Sequence, residues 1–210
     1  RQRHLTIPCE MCIRDSPCTM RNHINRGRAM HKHLQKVREF HDQFGIEQPE
    51  YPETAHLSDM DIVMRQALLM DCGSETFKAI TGGDLAKILA GLVDLAYNAL
   101  AAIACRGDDV VSTSVAWRQD GSVLSVMRVL ADKINQCASG ESIHYSSLYN
   151  ICEQLARGFI NADFDKAFAM VHANIMHSGH GAADAGRDYS QRIAKETLPR
   201  APDLSEALYE

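Results

Sequence analysis

Apolar residues recur at three- and four-residue intervals over much of the chain, a spacing that lines one face of a helix. Between residues 60 and 80 the pattern runs through Met64, Leu68 and Phe77, with Val63, Ala67 and Met70 widening the stripe expected to face the core. Thr81-Gly82-Gly83 ends this helix and Asp84 caps the next, residues 85–104, which packs through Leu85, Ile88, Leu89, Leu92, Ala96, Ala99 and Ile103. Neither segment alternates with period two, so the centre of the chain predicts a helical hairpin. A second hairpin follows. Residues 122–138 are periodic through Leu124, Met127, Leu130, Ala131 and Ile134, Ser139-Gly140 breaks the run, and residues 145–160 continue through Leu148, Ile151, Cys152, Leu155 and Phe159. A short helix ending at Phe44 before Gly45 and a longer one capped by Asp163, through Phe164, Ala167, Phe168, Val171 and Ile175, complete an all-α antiparallel helical bundle.

The two hairpins read as an internal duplication. Met64-Arg65 corresponds to Met127-Arg128, Asp71 with Glu75 to Asp132 with Gln136, and Asp94 falls near Glu153. Pro49 and Pro52 hold an extended connection until Ser58 or Asp59 caps the helix that follows, and Asp120-Gly121 can be a turn or an N-cap. Residues 179–186 read as a small-residue loop, and residues 203–208 as a short terminal turn. The run Met11-Cys12-Ile13-Arg14-Asp15-Ser16 resembles translated adaptor sequence, so residues 1–19 read as a non-native or disordered leader, with a start at Met20 or Met30. Residues 20–210 then form a single domain, in which residues 106–162 are an insertion or second hairpin.

Composition narrows the functional classes. With 210 residues, 45% hydrophobic and 23% charged, and a net charge of −5, the chain is neither collagen-like nor fully disordered nor a strongly basic nucleic-acid binder. Six basic residues between 20 and 38 read as a solvated lead-in to a helix, because no aromatic side chain interleaves them for base stacking. The most apolar stretch, residues 85–105, is interrupted by Lys87, Asp94 and Asn98, and no membrane span is expected. Seven scattered cysteines do not make a disulfide framework, which suggests a reduced, cytoplasmic protein. Cys9-x-x-Cys12 with Cys18 and His4 or His23 would be half of a zinc site, but no second pair completes it.

The chemistry centres on three carboxylates. Asp71 and Glu75 share a helical stripe with Met64 and Leu68, on or beside the face expected to pack inward. Asp94 repeats the situation on the second helix, without a basic residue one turn away. Carboxylates on an apolar face need a cation, and three oxygen donors facing each other across a hairpin suit Mg²⁺ or Mn²⁺. The alternative is an edge position, with Asp71 and Glu75 in solvent and Asp94 bonded to Tyr97 or Asn98.

A set of short motifs in fixed order adds to this. Val37-Arg38-Glu39-Phe40-His41 with Phe44-Gly45-Ile46 and Pro49, Arg65-x-x-Leu68-Leu69-x-Asp71, Ala79-Ile80 with Gly83-Asp84-Leu85, and Gly91-Leu92-x-Asp94-Leu95-x-Tyr97 resemble the all-α nucleoside triphosphate pyrophosphohydrolases. That superfamily includes MazG, phosphoribosyl-ATP pyrophosphohydrolase and the dimeric dUTPases. Phe168-x-x-Val171-His172-Ala173-Asn174 and Pro202-Asp203-Leu204 are similar to the family's tail. The resemblance covers residues 37–105 and 163–208.

The resemblance implies Mg²⁺-dependent hydrolysis of a nucleoside triphosphate to monophosphate and pyrophosphate, a house-cleaning activity on the nucleotide pool. It further implies metal ligands in an EExxE motif on one helix and an ExxD motif on the next. Asp71 takes the first acidic position, Cys72 stands at the second, Glu75 is the third, Gly91 stands at the ExxD glutamate, and Asp94 is its aspartate. Asp71, Glu75 and Asp94 are therefore the candidate catalytic and metal residues, and Arg65, Tyr97, Asn98 and Asn174 the candidate substrate-binding residues. Cys72 and Gly91 depart from the pattern at positions that usually ligate metal. A nucleotide-binding or helical interaction protein descended from the family is the alternative class, and a homodimer remains open.

Overall fold

The computed structural model describes residues 29–114, 117, 122–178 and 202–209. These residues form an all-α structure of six helices: α1 (Lys32–Phe44), α2 (Asp59–Gly82), α3 (Leu85–Arg106), α4 (Val123–Gln136), α5 (Ser142–Gly158) and α6 (Phe164–Ser178). The proposed leader and zinc motif, the Asp120-Gly121 turn and the 179–186 loop lie outside the described residues.

Local chemistry sets the helix ends. Ser58 and Asp61 form a capping box at the start of α2, and Asp84 accepts from the Lys87 backbone N–H at the start of α3. Ser122 caps α4, and Asp163 accepts from the backbone N–H of Lys166 in the first turn of α6. Gly83 closes α2 in the left-handed conformation. Gly107 does the same for α3, in a space so tight that a Cβ there would collide with the Glu53 carbonyl.

Helix α3 is the axis of the bundle. It contacts α1, α2, α5 and α6, and 14 of its 22 residues are buried, which is what a helix apolar on all sides requires. By length and composition α3 is apolar enough to cross a membrane, but 83% of its most apolar window is buried inside the protein. The two sequence hairpins are both present: α2–α3 and α4–α5 pack with α3 against α5 and α2 against α4. Helix α1 is tied down by His33, whose Nδ1 is hydrogen-bonded to the Tyr149 hydroxyl at 2.8 Å and whose Nε2 lies 3.1 Å from Asp165. Its ring stacks on Phe168, and burial lowers its pKa so that the imidazole stays neutral.

The inward face of α2 differs from the sequence expectation. Only Leu69, Gly73, Thr76 and Ile80 are buried among its 24 residues, whereas Met60, Val63, Met64 and Met70 are exposed. The stripe through Met64, Val63, Ala67 and Met70 therefore turns away from the core. The physical reason is close packing: Gly73 lies against the Ile134 side chain and Thr76 against Gly91, so small residues rather than methionines make the contact. Leu85 and Leu124, also expected to pack inward, are exposed as well.

Candidate functional site

At the turn between α2 and α3 the two helices enclose an open groove of ≈ 430 Å³ lined by Glu75, Lys78, Ala79 and Gly82 from α2, the cap Asp84, and Lys87, Ala90, Gly91 and Asp94 from α3. Two of the three predicted carboxylates, Glu75 and Asp94, thus share one cavity. Asp71 does not line it. Four residues along a helix advance about 400°, so Asp71 is rotated about 40° from Glu75, and one turn further along the axis. Asp71 is exposed. Among the described residues no group of three or more His, Cys, Asp or Glu side chains converges as a metal cluster.

The charges in the groove fall into two kinds. Lys78 Nζ is 2.9 Å from Glu75 Oε1, and Lys87 Nζ is 2.7 Å from Asp84 Oδ2, so each rim carboxylate has a lysine three residues along. The hydrogen bond from Lys87 helps hold the Asp84 carboxyl below its ordinary pKa. Asp94 differs. Its carboxyl has no hydrogen-bond or ion-pair partner among the described residues, and burial pushes its pKa up to about 7. A carboxyl that is desolvated, unpaired and at the wall of a cleft marks a candidate ligand site.

Neighbouring groups fix the backbone behind this carboxyl. Asn98 Nδ2 donates to the Asp94 backbone carbonyl at 2.9 Å and to Cys72 Sγ at 3.6 Å, so Asn98 braces the helix pair behind the groove. Gly91 and Cys72, the positions where the family pattern has glutamates, are both at the helix–helix contact. A Cβ on Gly91 would collide with Thr76 Oγ1 and lie 3.2 Å from Thr76 Cα, which leaves no space for a longer side chain. The Thr76 hydroxyl donates to the Cys72 carbonyl at 2.8 Å.

The remaining candidates lie elsewhere. Arg65 Nη2 donates to Cys105 Sγ at 3.0 Å, toward the other end of α2, and Arg65 does not line the groove. Tyr97 is buried, with its hydroxyl 3.2 Å from His172 Nδ1 and its ring stacked on Phe168, so it is a core residue. Asn174 is half-buried on α6 and is likewise outside the groove lining. Sequence reasoning missed Lys78 and Lys87. Their signal was the paired acid-x-x-Lys spacing, Glu75 to Lys78 and Asp84 to Lys87, on both sides of the hairpin turn.

Compared with protein-family models, curated proteins and solved structures, the chain matches none.

Proposed function

We propose that the α2–α3 groove binds a nucleoside triphosphate together with one divalent cation and hydrolyses it to the monophosphate and pyrophosphate, within a bundle of the all-α pyrophosphohydrolase type. The observation that carries this reading is Asp94: an unpaired, desolvated carboxyl sharing a groove with Glu75 and two lysines.

The donor set fits a single Mg²⁺ or Mn²⁺. Magnesium is commonly held by one or two carboxylates plus substrate phosphates and water, which Glu75 and Asp94 can supply without Asp71. When bound, the cation would polarise a phosphoryl group and neutralise charge as the anhydride bond between the α and β phosphates breaks. Lys78 and Lys87, on flexible stems at the rim, can reach phosphate oxygens as point charges. A triphosphate that draws Lys78 away from Glu75 also releases that carboxylate for the cation, which couples substrate and metal binding. With a pKa near 7, Asp94 is protonated about half the time at neutral pH, and a cation would displace that proton.

Replacing either lysine by Ala is expected to weaken Mg²⁺-dependent binding of a non-hydrolysable triphosphate about tenfold, as measured by calorimetry, and less so at high salt. Unchanged affinity in both variants contradicts this use of the groove. A second reading, nucleotide binding without turnover, is favoured by one observation: the contact of Gly91 with Thr76, which closes the position where the family has a further ligand. Metal-dependent binding without pyrophosphate release would select it.

A further inference from the structure

We infer that the N-terminal half of α1 is a proton-operated latch, held against α5 and α6 by His31 and His33 through a one-way chain of hydrogen bonds that proton uptake breaks. This inference does not depend on the nucleotide reading. His31 caps α1: its Nδ1 accepts from the His33 backbone N–H at 3.3 Å. The proton of the neutral His31 ring is therefore on Nε2, which lies 3.4 Å from the Tyr149 hydroxyl of α5. The hydroxyl oxygen accepts there, and its own proton goes to His33 Nδ1 at 2.8 Å. That leaves the His33 ring proton on Nε2, facing Asp165 of α6 at 3.1 Å. His33 and Tyr149 are both buried, so bulk water cannot take over the bond between them.

The chain runs in one direction only, and a proton added to either ring breaks it. On His31 the proton would enter at Nδ1 and face the His33 N–H, so the cap is lost and a positive charge stands at the helix N-terminus. On His33 it would enter at Nδ1 and turn the Tyr149 hydroxyl toward His31 Nε2. His31 can accept only by moving its own proton to Nδ1, with the same loss of the cap. Nor does Asp165 keep a place for the new charge, since Lys32 Nζ at 2.6 Å and Arg157 Nη2 at 3.4 Å already share its Oδ2. Desolvation is the largest influence on both rings and lowers both pKa values; Lys32 and Lys36 add to it, and Asp109, Glu153 and Asp165 oppose it. Lowered folded values mean that the latch is fully held above the ordinary 6.5 and weakens as pH falls toward about 4, the value for His33. His41, in the last turn beside Arg65 and Gln48, lies outside the chain of bonds. Opening this half of α1 uncovers Leu34 and Val37, which are fully buried when it is latched.

The test is amide hydrogen exchange of the full chain at pH 7 and pH 5, each rate divided by that of the unstructured chain at the same pH. With His33 released to its ordinary pKa, the opening constant at residues 33–37 is expected to rise about twentyfold or more, while protection in α3 does not fall. Protection of α1 that is unchanged between the two pH values, or that falls only in step with α3, overturns the inference. The double variant His31→Asn with His33→Gln keeps both acceptors but takes up no proton in this range, and it should hold the same protection at both pH values. Acid opening that persists in it also overturns the inference. Should that variant fail to fold, nitrogen NMR of the wild-type imidazoles gives an independent readout. Both rings should carry their proton on Nε2 at pH 7, with His33 titrating well below 6.5. A proton on Nδ1 of either ring, or a His33 midpoint at 6.5 or above, contradicts the latch.

Discussion

Asp94→Asn is expected to stabilise the ligand-free protein by up to about 4 kcal/mol above pH 7 and to have almost no effect at pH 4. Folded, the carboxyl titrates near 7, against 3.8 as the ordinary value, and the difference corresponds to that free energy. Between the two values the folded chain holds a proton that the unfolded chain has released. Stability from this group therefore falls as pH rises from about 4 to 7 and levels off above that. Asn has the shape of the neutral acid and no charge to desolvate, so the variant lacks this dependence. Urea denaturation of both proteins at pH 4 and pH 8 measures the difference. A gap of the same size at both pH values contradicts the account of Asp94. At pH 8, millimolar Mg²⁺ with a non-hydrolysable triphosphate should raise the melting temperature of the wild type and leave Asp94→Asn unmoved, because a ligand stabilises only the state that binds it.

Gly91→Glu, which introduces the acidic residue that the resemblance would place there, is expected to destabilise the fold by more than about 3 kcal/mol rather than to create a metal site. The new Cβ would collide with Thr76 Oγ1 and meet Thr76 Cα at 3.2 Å, so α2 and α3 would have to separate. Overpacking of this kind typically costs about 1–3 kcal/mol, and a second carboxylate placed near unpaired Asp94 adds repulsion. Gly91→Ala isolates the steric part. Helix propensity alone would favour Ala by about 1 kcal/mol, so a net loss of stability identifies the contact with Thr76. Thr76→Ala, which removes the nearest atom, should recover part of the loss, while Thr76→Ser, which keeps the hydroxyl, should not. A Gly91→Ala protein more stable than the wild type contradicts the close approach of the two helices.

The helix ends were legible because caps are local. Ser58, Gly83, Asp84 and Asp163 each mark a boundary through a hydrogen bond or a left-handed turn that needs only adjacent residues. The pairing of Glu75 with Asp94 was legible too, since a hairpin with a short turn brings the end of one helix beside the start of the next. The inward side of α2 was not. Its two apolar stripes are about 100° apart, and periodicity alone gives no reason to prefer one. The stripe that packs uses Gly73 and Thr76, whose value lies in small size and close approach, while the stripe with the larger apolar side chains is exposed. The same error of rotation put Asp71 inside the site. Tyr97, expected near phosphate, is held by His172 and Phe168 from α6, a partner far away in sequence that no local pattern identifies.

Pyrophosphate release is the most direct test of the central claim. The full chain should be incubated with canonical and modified nucleoside triphosphates in the presence of Mg²⁺ or Mn²⁺, beside Asp94→Asn. The account predicts metal-dependent release of pyrophosphate with the monophosphate as co-product, and a loss of at least about 100-fold in Asp94→Asn although that variant is the more stable protein. Turnover that survives the substitution, or orthophosphate as the product, would contradict it.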